Sequence, residues 1–339
     1  MKRTLAALLA LACLFALTAE IRAGSSSEID DVDTADAADA DSTLDVIAWF
    51  GSRDTVTYTI RTSIWEINGT DTLMTALATS KVQINVTDST DAAYSMEYRI
   101  LETSSTPVAD GPYQRLLSDM ANKLGREMAG TVIRFDTDNT GSLAEITNLD
   151  EINAKAKANV DAIKQSLMSL KEFEEMRRAS INTDSVLSLL DADRMTEGYL
   201  NEINLLFDYH GYTLPLGETT EHEDATESQY ESSTDMDTYI GEDGDSYHIV
   251  CNVTSVIPRD NLKGILGGLV EKMGDDSVTA SFEHGFDSQV NDDCTVSDYV
   301  AIDYLLNGWP YSALRQRITM IGQRGKATQS SITLDSFSF

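Results

Sequence analysis

The chain of 339 residues carries 56 acidic and 25 basic side chains, which gives a formal net charge of -31. A phosphate backbone is bound by lysine and arginine side chains, so this charge argues against nucleic acid as a partner. Hydrophobic residues make up 42% of the chain, which is too many for a wholly disordered acidic protein and enough to bury a core of ordinary size.

The N-terminus has the organisation of a secretory signal peptide. Lys2 and Arg3 precede an apolar run from Leu5 to Ala19, and small residues follow it. The run is shorter than the ~20 apolar residues that span a bilayer core, so we predict a cleaved signal over residues 1–23 and no transmembrane segment. The protein is therefore expected to be exported, with a periplasmic or cell-surface location.

The three cysteines raise separate questions. Apolar residues continue after Cys13, whereas a lipidated cysteine is followed by a polar tether, so we do not expect a lipid anchor there. Removal of the signal leaves Cys251 and Cys294, which we predict to form a disulfide in an oxidising compartment. The alternative is two separate buried thiols, which pack as small hydrophobic side chains.

Two acidic stretches lack lysine and arginine. Residues 24–45 carry aspartates among serines and alanines, and we predict a disordered acidic tether. Residues 217–235 are predicted to form a solvated acidic loop. The remainder of residues 46–339 should form a single domain.

Residues 46–104 have the period of two that is typical of half-buried strands. Apolar side chains alternate with polar ones over 56–64 and again over 94–100. Asn68-Gly69 provides a tight hairpin turn after the first of these strands, and a phase change in the next strand, which runs from Leu73 to Val86, predicts a bulge near Ser80. This block is therefore expected to be an antiparallel meander.

Helical spacing replaces this period over residues 112–211. Apolar residues recur at three and four positions in two predicted helices, from Tyr113 to Met128 and from Ile152 to Met176. Strands return over 236–339, with a short helix from Asn261 to Met273. We therefore predict an α+β fold in which a central helical layer covers a large curved antiparallel β-sheet, or two smaller sheets.

Local motifs give little evidence of chemistry. Asp136 to Gly141 resembles the opening of an EF-hand loop, but position 12 is Thr147, so an acidic hairpin turn is favoured over a weak calcium site. His248 is expected on the outward face of its strand, and no two histidines have the spacing of a helical metal pair. Common nucleophile and phosphate-loop motifs are absent from the sequence. We predict no metal site and no cofactor.

An aromatic turn lies between the last predicted strands. Tyr304, Trp309 and Tyr311 flank Asn307-Gly308 and could stack on a sugar or a peptide. The favoured interpretation is a hairpin turn in which the tryptophan packs over the edge of the sheet.

The order of these parts resembles a family of uncharacterised exported bacterial proteins that share a domain of unknown function. The matching features are the export signal, the first meander, the segment Thr131–Ile146 before a long helix, and the turn from Asp303 to Trp309 between strands. The resemblance implies no particular activity, substrate or partner.

Two functions are compatible with these observations. The favoured one is a non-catalytic cell-envelope protein whose curved sheet binds an apolar small molecule or a segment of an envelope protein. The candidate ligand-binding side chains share one face of the predicted meander: Tyr58, Ile60, Tyr94, Met96 and Tyr98. The helices could instead fill that face completely. The alternative function is a carboxylate-dependent glycan hydrolase, whose two acids the sequence does not single out.

Overall fold

The computed structural model describes residues 43–108, 122, 125–169, 192–223, 231–241, 244–273, 282, 285–288 and 290–338. The predicted signal peptide, Cys13 and most of the predicted tether lie outside the described residues. So do most of the helix predicted from Tyr113 and the end of the helix predicted to reach Met176.

Strands predominate in the described residues. They are β1 (Thr43–Asp45), β2 (Thr55–Asn68), β3 (Asp71–Ser89), β4 (Ala93–Pro107), β5 (Val132–Asp138), β6 (Leu143–Ile146), β7 (Thr213–Pro215), β8 (Gly217–Glu223), β9 (Glu231–Ile240), β10 (Ser246–Ile257), β11 (Cys294–Leu305), β12 (Pro310–Ile321) and β13 (Arg324–Ser338). The helices are α1 (Leu149–Met168), α2 (Ala192–Phe207) and α3 (Arg259–Met273).

Eleven of these strands form one open sheet in the order β6-β5-β4-β3-β2-β13-β12-β11-β10-β9-β8. Neighbours are antiparallel throughout, and β13 joins the N-terminal meander to the C-terminal one by pairing with β2. The other two strands, β1 and β7, form a small separate sheet. The predicted large antiparallel sheet is thus confirmed, and it is a single sheet beside a two-stranded one.

The core lies on one face of the large sheet, which we call the covered face. Val56, Tyr58 and Ile60 point to it, as do the residues that pair with them on β3 and β13. From above, α1 contributes Ile152 and α2 contributes apolar side chains near its end to the same core: Ile203, Leu206 and Phe207. A smaller cluster beneath α3 contains Leu262 and Leu266 with Ile257, Cys294 and Val296 of the sheet.

The opposite face, which we call the open face, has no described helix packed against it. All three described helices contribute their buried side chains to the two clusters on the covered face. The predicted helical layer is therefore minor, and within the described residues its helices lie on one side of the sheet.

Two of the predicted loop regions are strands. Thr43–Asp45, which we predicted as the end of a tether, pairs with β7, and the next residues bury Val46, Ala48 and Phe50 in the core. Most of the predicted acidic loop 217–235 forms β8 and part of β9. Threonine and serine are interspersed with the acids there, and an outermost strand can keep its carboxylates in water.

The predicted bulge in β3 lies elsewhere than expected. The register of β2 against β3 shifts at Ile64/Trp65, where the extra residue is Thr75 of β3. The register of β3 against β4 shifts at Lys81/Val82, where the extra residue is Leu101 of β4. From Ala76 to Asn85, β3 pairs with β2 without interruption, so Leu77 and Val82 face opposite sides, and the bulge at Thr75 places Leu73 on the same face as Val82.

Candidate functional site

The five predicted ligand-binding residues all lie together on the covered face, as predicted, but they are packed into the core. Their exposed fractions run from 0% for Tyr58 and Tyr98 to 8% for Tyr94. Two of their hydroxyls are used internally, because Tyr58 donates to the carbonyl of Pro310 and Tyr94 donates to that of Ala48. These side chains hold the sheet against α2 and the segment 46–50, and none presents an open surface to a ligand.

The carboxyl group of a half-buried glutamate lies at the edge of this cluster. The hydroxyl of Tyr98 on β4 donates to the carboxylate of Glu202 on α2. Burial raises the pKa of Glu202 to about 7, against the opposing effect of the hydrogen bond from Tyr98. Sequence reasoning missed Glu202, since nothing in the helical pattern distinguishes an inward-facing glutamate from a solvated one.

The predicted disulfide is wrong. Cys251 and Cys294 lie on the neighbouring strands β10 and β11, but Cys251 pairs with Val300 whereas Cys294 pairs with Ile257. Ile257 is six residues beyond Cys251, which corresponds to about 20 Å along the strand, far beyond the ~7 Å between Cα atoms that a disulfide allows. Both cysteines are free and buried, and burial raises the pKa of the Cys294 thiol to about 11.

The charges of β12 are on the covered face. Arg315 contacts Asp298 of β11 through two hydrogen bonds, with Nε to Oδ1 at 3.0 Å and Nη2 to Oδ2 at 2.5 Å. Arg317 also donates to Asp298. Burial acts to raise the pKa of Asp298, but the two guanidinium groups hold it below its usual range.

The open face of β12, and of β13 from Gly325 to Thr333, carries no charge. On β12 and β13 its residues are Ser312, Leu314, Gln316, Ile318, Met320, Gly325, Ala327, Gln329, Ser331 and Thr333. In a chain of which 24% of residues are charged, such a run on a face without a described helix is unusual. Apolar side chains are interspersed with hydroxyl and amide groups, and Trp65 of β2 lies beside Ala327 and Met74.

A polar cluster occupies one end of the open face. His248 on β10 lies directly opposite Asp303 on β11, and its Nδ1 bonds to Oδ1 of that carboxylate. Its Nε2 lies 3.5 Å from the hydroxyl oxygen of Ser246, and Oδ2 of Asp303 accepts a hydrogen bond of 2.5 Å from Ser312. The ring of Tyr239 stacks on the imidazole, with centroids 4.6 Å apart.

His248 thus points outward, as predicted, but its partners could not be found from sequence. Asp303 lies 55 residues further along the chain, and only the register of β10 against β11 brings the two together.

The aromatic turn is divided between the two faces. Trp309 is fully buried and donates from Nε1 to Asp54, so it packs inside the sheet, whereas Tyr311 is 39% exposed beside Asp303.

The EF-hand-like segment is an acidic hairpin turn between β5 and β6. Oδ1 of Asp138 accepts hydrogen bonds from the backbone of Thr140 and Ser142 and from the hydroxyl of Thr140. Among the described residues no group of three or more metal-ligating side chains converges.

The chain has no matching protein-family model, and no curated protein is similar to it in sequence. A solved structure of lipovitellin, described by its lipid–protein interactions, aligns with 86% of this chain at 12% identity. The alignment spans 26% of that longer chain with a TM-score of 0.35. No helix in the described part of the chain is long and apolar enough to cross a membrane.

Proposed function

We propose that this is an exported cell-envelope protein that binds a segment of a partner protein on the open face of its large sheet. Export is inferred from the N-terminal sequence. The observation that carries the binding role is the lack of charge on the open face of β12 and of β13 from Gly325 to Thr333.

A solvated sheet face normally carries lysine and glutamate, which keep a protein soluble and monomeric. Here the alternation is reversed, because Arg315, Arg317 and Asp298 occupy the covered face while glutamines, serines and aliphatic residues face outward. Depletion of charge, with aromatic residues and methionine present, is the composition of the centre of a protein interface. Trp65 and Met320 supply such side chains, and both are only partly buried.

The dimensions of this surface favour a protein over a small molecule. The open face of the five neighbouring strands from β10 to β2, with about twelve residues each, covers roughly 900 Å² at the usual strand spacing and rise. The uncharged run of β12 and β13 lies within this area, and Asp303 of β11 and Arg61 of β2 lie beside it. That is close to the ~800 Å² that each partner contributes to a stable protein complex. An apolar small molecule binds instead in a concave cavity that encloses most of it, and the side chains predicted to line one are packed in the core.

Site-specific photo-crosslinking in an exporting cell tests the proposal. A benzophenone amino acid at position 316, on the open face, should give a crosslink to one other polypeptide. The same residue at position 220, on the acidic outermost strand β8, should give none. Gln316→Lys and Gln329→Lys, which pair across β12 and β13, should abolish the crosslink from a probe at position 314, since a desolvated charge opposes docking.

Three results would contradict the proposal. The first is equal crosslinking from positions 316 and 220. The second is a crosslink at position 316 that joins two copies of this chain. The third is the absence of a polypeptide crosslink together with a lipid bound to the purified protein in native mass spectrometry. The second result would assign the face to self-association, and the third to a small apolar ligand. Circular dichroism of the two lysine variants should match that of the wild type, because both positions lie outside the core clusters.

A further inference from the structure

We infer that Ser246, His248 and Asp303 form a nucleophilic site that hydrolyses uncharged carboxylic esters. This activity is additional to the binding role proposed above and does not depend on it. The three residues are connected in the order that a serine nucleophile, its base and an orienting carboxylate require: hydroxyl to Nε2, and Nδ1 to carboxylate.

The hydrogen bonds determine the tautomer of the imidazole. A carboxylate can only accept, so Nδ1 of His248 donates its proton to Asp303. The neutral ring then has its free electron pair on Nε2, facing the hydroxyl of Ser246. Asp303 is held in turn by Ser312, and Tyr239 covers one face of the ring. The distance of 3.5 Å between Nε2 and the hydroxyl oxygen is typical of a catalytic pair without bound substrate, and such distances shorten when substrate binds.

Gly241 leaves space directly above the nucleophile. A Cβ atom at this position would lie 2.5 Å from the hydroxyl oxygen of Ser246 and 3.4 Å from Nε2 of His248. Any other residue would therefore fill the volume next to both reacting atoms. The backbone of Gly241 does not have a positive φ, so its turn does not require glycine for conformational reasons. The absence of a side chain here keeps the Ser246–His248 pair accessible.

The surroundings select the class of substrate. Two carboxylates lie near the site. Asp237 is on the open face of β9, and Asp245 is in the turn before β10. Both would repel a substrate that carries a phosphate or a carboxylate. Tyr239 and Tyr311 are 45% and 39% exposed and offer flat apolar surfaces for the alcohol or acyl part of an ester. An uncharged ester fits both features.

The reaction requires only water as a second substrate. The hydroxyl oxygen of Ser246 forms a bond to the ester carbonyl carbon while its proton passes to Nε2 of His248 and the π electrons of the carbonyl move to its oxygen. The carbonyl double bond then re-forms as the bond from that carbon to the alkoxy oxygen breaks, and the alcohol leaves with the proton from Nε2. Water attacks the resulting acyl-serine with His248 again as base, which releases the carboxylic acid and restores the serine. Asp303 stabilises the positively charged imidazole in both steps.

Hydrolysis of p-nitrophenyl acetate and labelling by a fluorophosphonate, both on the full chain without denaturant, test the inference. The wild type should hydrolyse the ester at least tenfold faster than Ser246→Ala, His248→Gln or Asp303→Asn, and peptide mass spectrometry should find the label on Ser246 alone. Gly241→Ala should lose both properties, because its methyl group occupies the space at the nucleophile. Ser297→Ala is the matched control, since Ser297 also lies on the open face and bonds to Asn252.

The inference is overturned if the four site variants retain the hydrolysis rate of the wild type, or if Ser246 carries no label when other residues do. It is also overturned if the wild type hydrolyses the ester no faster than Ser246→Ala and its Ser246 is not labelled. Loss of activity in Ser297→Ala would show a general effect on the sheet and would likewise contradict it. Unfolding midpoints in urea should agree among Ser246→Ala, Ser297→Ala and the wild type, so a failure to fold is recognised separately. Crosslinking at position 316 should persist in Ser246→Ala, which separates this inference from the binding role.

Discussion

Nε2 of His210 lies 3.0 Å from the carbonyl oxygen of Gly308, and this contact joins the loop after α2 to the turn between β11 and β12. His210 is 1% exposed and has Phe50, Phe207 and Tyr304 as ring neighbours. Gly308 in turn lies against the backbone of Ala48. The N-terminal segment, the helices and the sheet therefore meet at one point.

Substitution of Gly308 by alanine should destabilise the protein by about 2–4 kcal/mol, from strain of a positive φ together with a steric clash. Its φ is +83°, and an added Cβ would lie 2.8 Å from the Cα of Ala48. Gly130→Ala is the control, because Gly130 has a similar φ of +77° with nothing within 4 Å of its Cβ position. Urea unfolding should show a loss of only about 1 kcal/mol there. Equal losses in the two variants would contradict the clash.

Glu202→Gln should remove the contribution that Glu202 makes to the pH dependence of stability. The pKa of Glu202 is about 7 in the folded protein and 4.5 in the reference state, so the folded state binds the proton more tightly. Its contribution to stability is complete below pH 4.5 and is lost as the pH rises towards 7. The variant should gain up to about 3 kcal/mol relative to the wild type between these pH values, measured by urea unfolding at pH 4.5 and pH 7.5. A difference that does not change with pH would contradict this assignment.

His210 should produce the opposite slope. Burial lowers the pKa of His210 from 6.5 to about 4, so the unfolded state binds the proton more tightly between these values. Stability that depends on neutral His210 is complete above pH 6.5 and is lost as the pH falls through 4. Because the windows of His210 and Glu202 overlap, their effects largely cancel in the wild type. His210→Gln should therefore expose the loss of stability with rising pH that Glu202 causes, and Glu202→Gln should expose the slope of His210.

The sequence predicted the strands well and the contacts between them poorly. The alternation over 56–60 and 94–100 depends on local burial alone, so it located β2, β4 and the shared face of Tyr58 and Tyr98. The Cys251–Cys294 pairing and the His248–Asp303 contact depend on strand register, which distant turns and bulges determine. A shift of one residue moves every partner, and periodicity contains no information about that shift. Whether the shared face would be open or filled depended on the packing of α2, which no local pattern encodes.

Asp298→Asn should destabilise the protein by about 2–4 kcal/mol, because it leaves Arg315 and Arg317 on the covered face without their carboxylate. The control is Asp287→Asn. Asp287 also contacts two basic side chains, Arg259 and Lys263, but its side chain is 52% exposed. Solvent screens exposed ion pairs, so Asp287→Asn should lose much less stability than Asp298→Asn. Chemical denaturation of both variants at pH 7 provides the comparison. A loss from Asp287→Asn as large as that from Asp298→Asn would show that burial is not what gives the Asp298 network its energy.

The register of β10 against β11 predicts a new disulfide. Val300 lies directly opposite Cys251 on the same face, and directly paired residues have Cα atoms about 4.5–5.5 Å apart, within the range for a disulfide. In Val300→Cys the introduced thiol should therefore form a disulfide with Cys251. In denatured, unreduced protein, Cys294 should then be the one reactive thiol among positions 251, 294 and 300. The wild type should retain two thiols at 251 and 294, and Ser297→Cys, which faces the opposite side, should retain three. Peptide mapping that finds a Cys251–Cys294 bond in the wild type would show that the register is wrong.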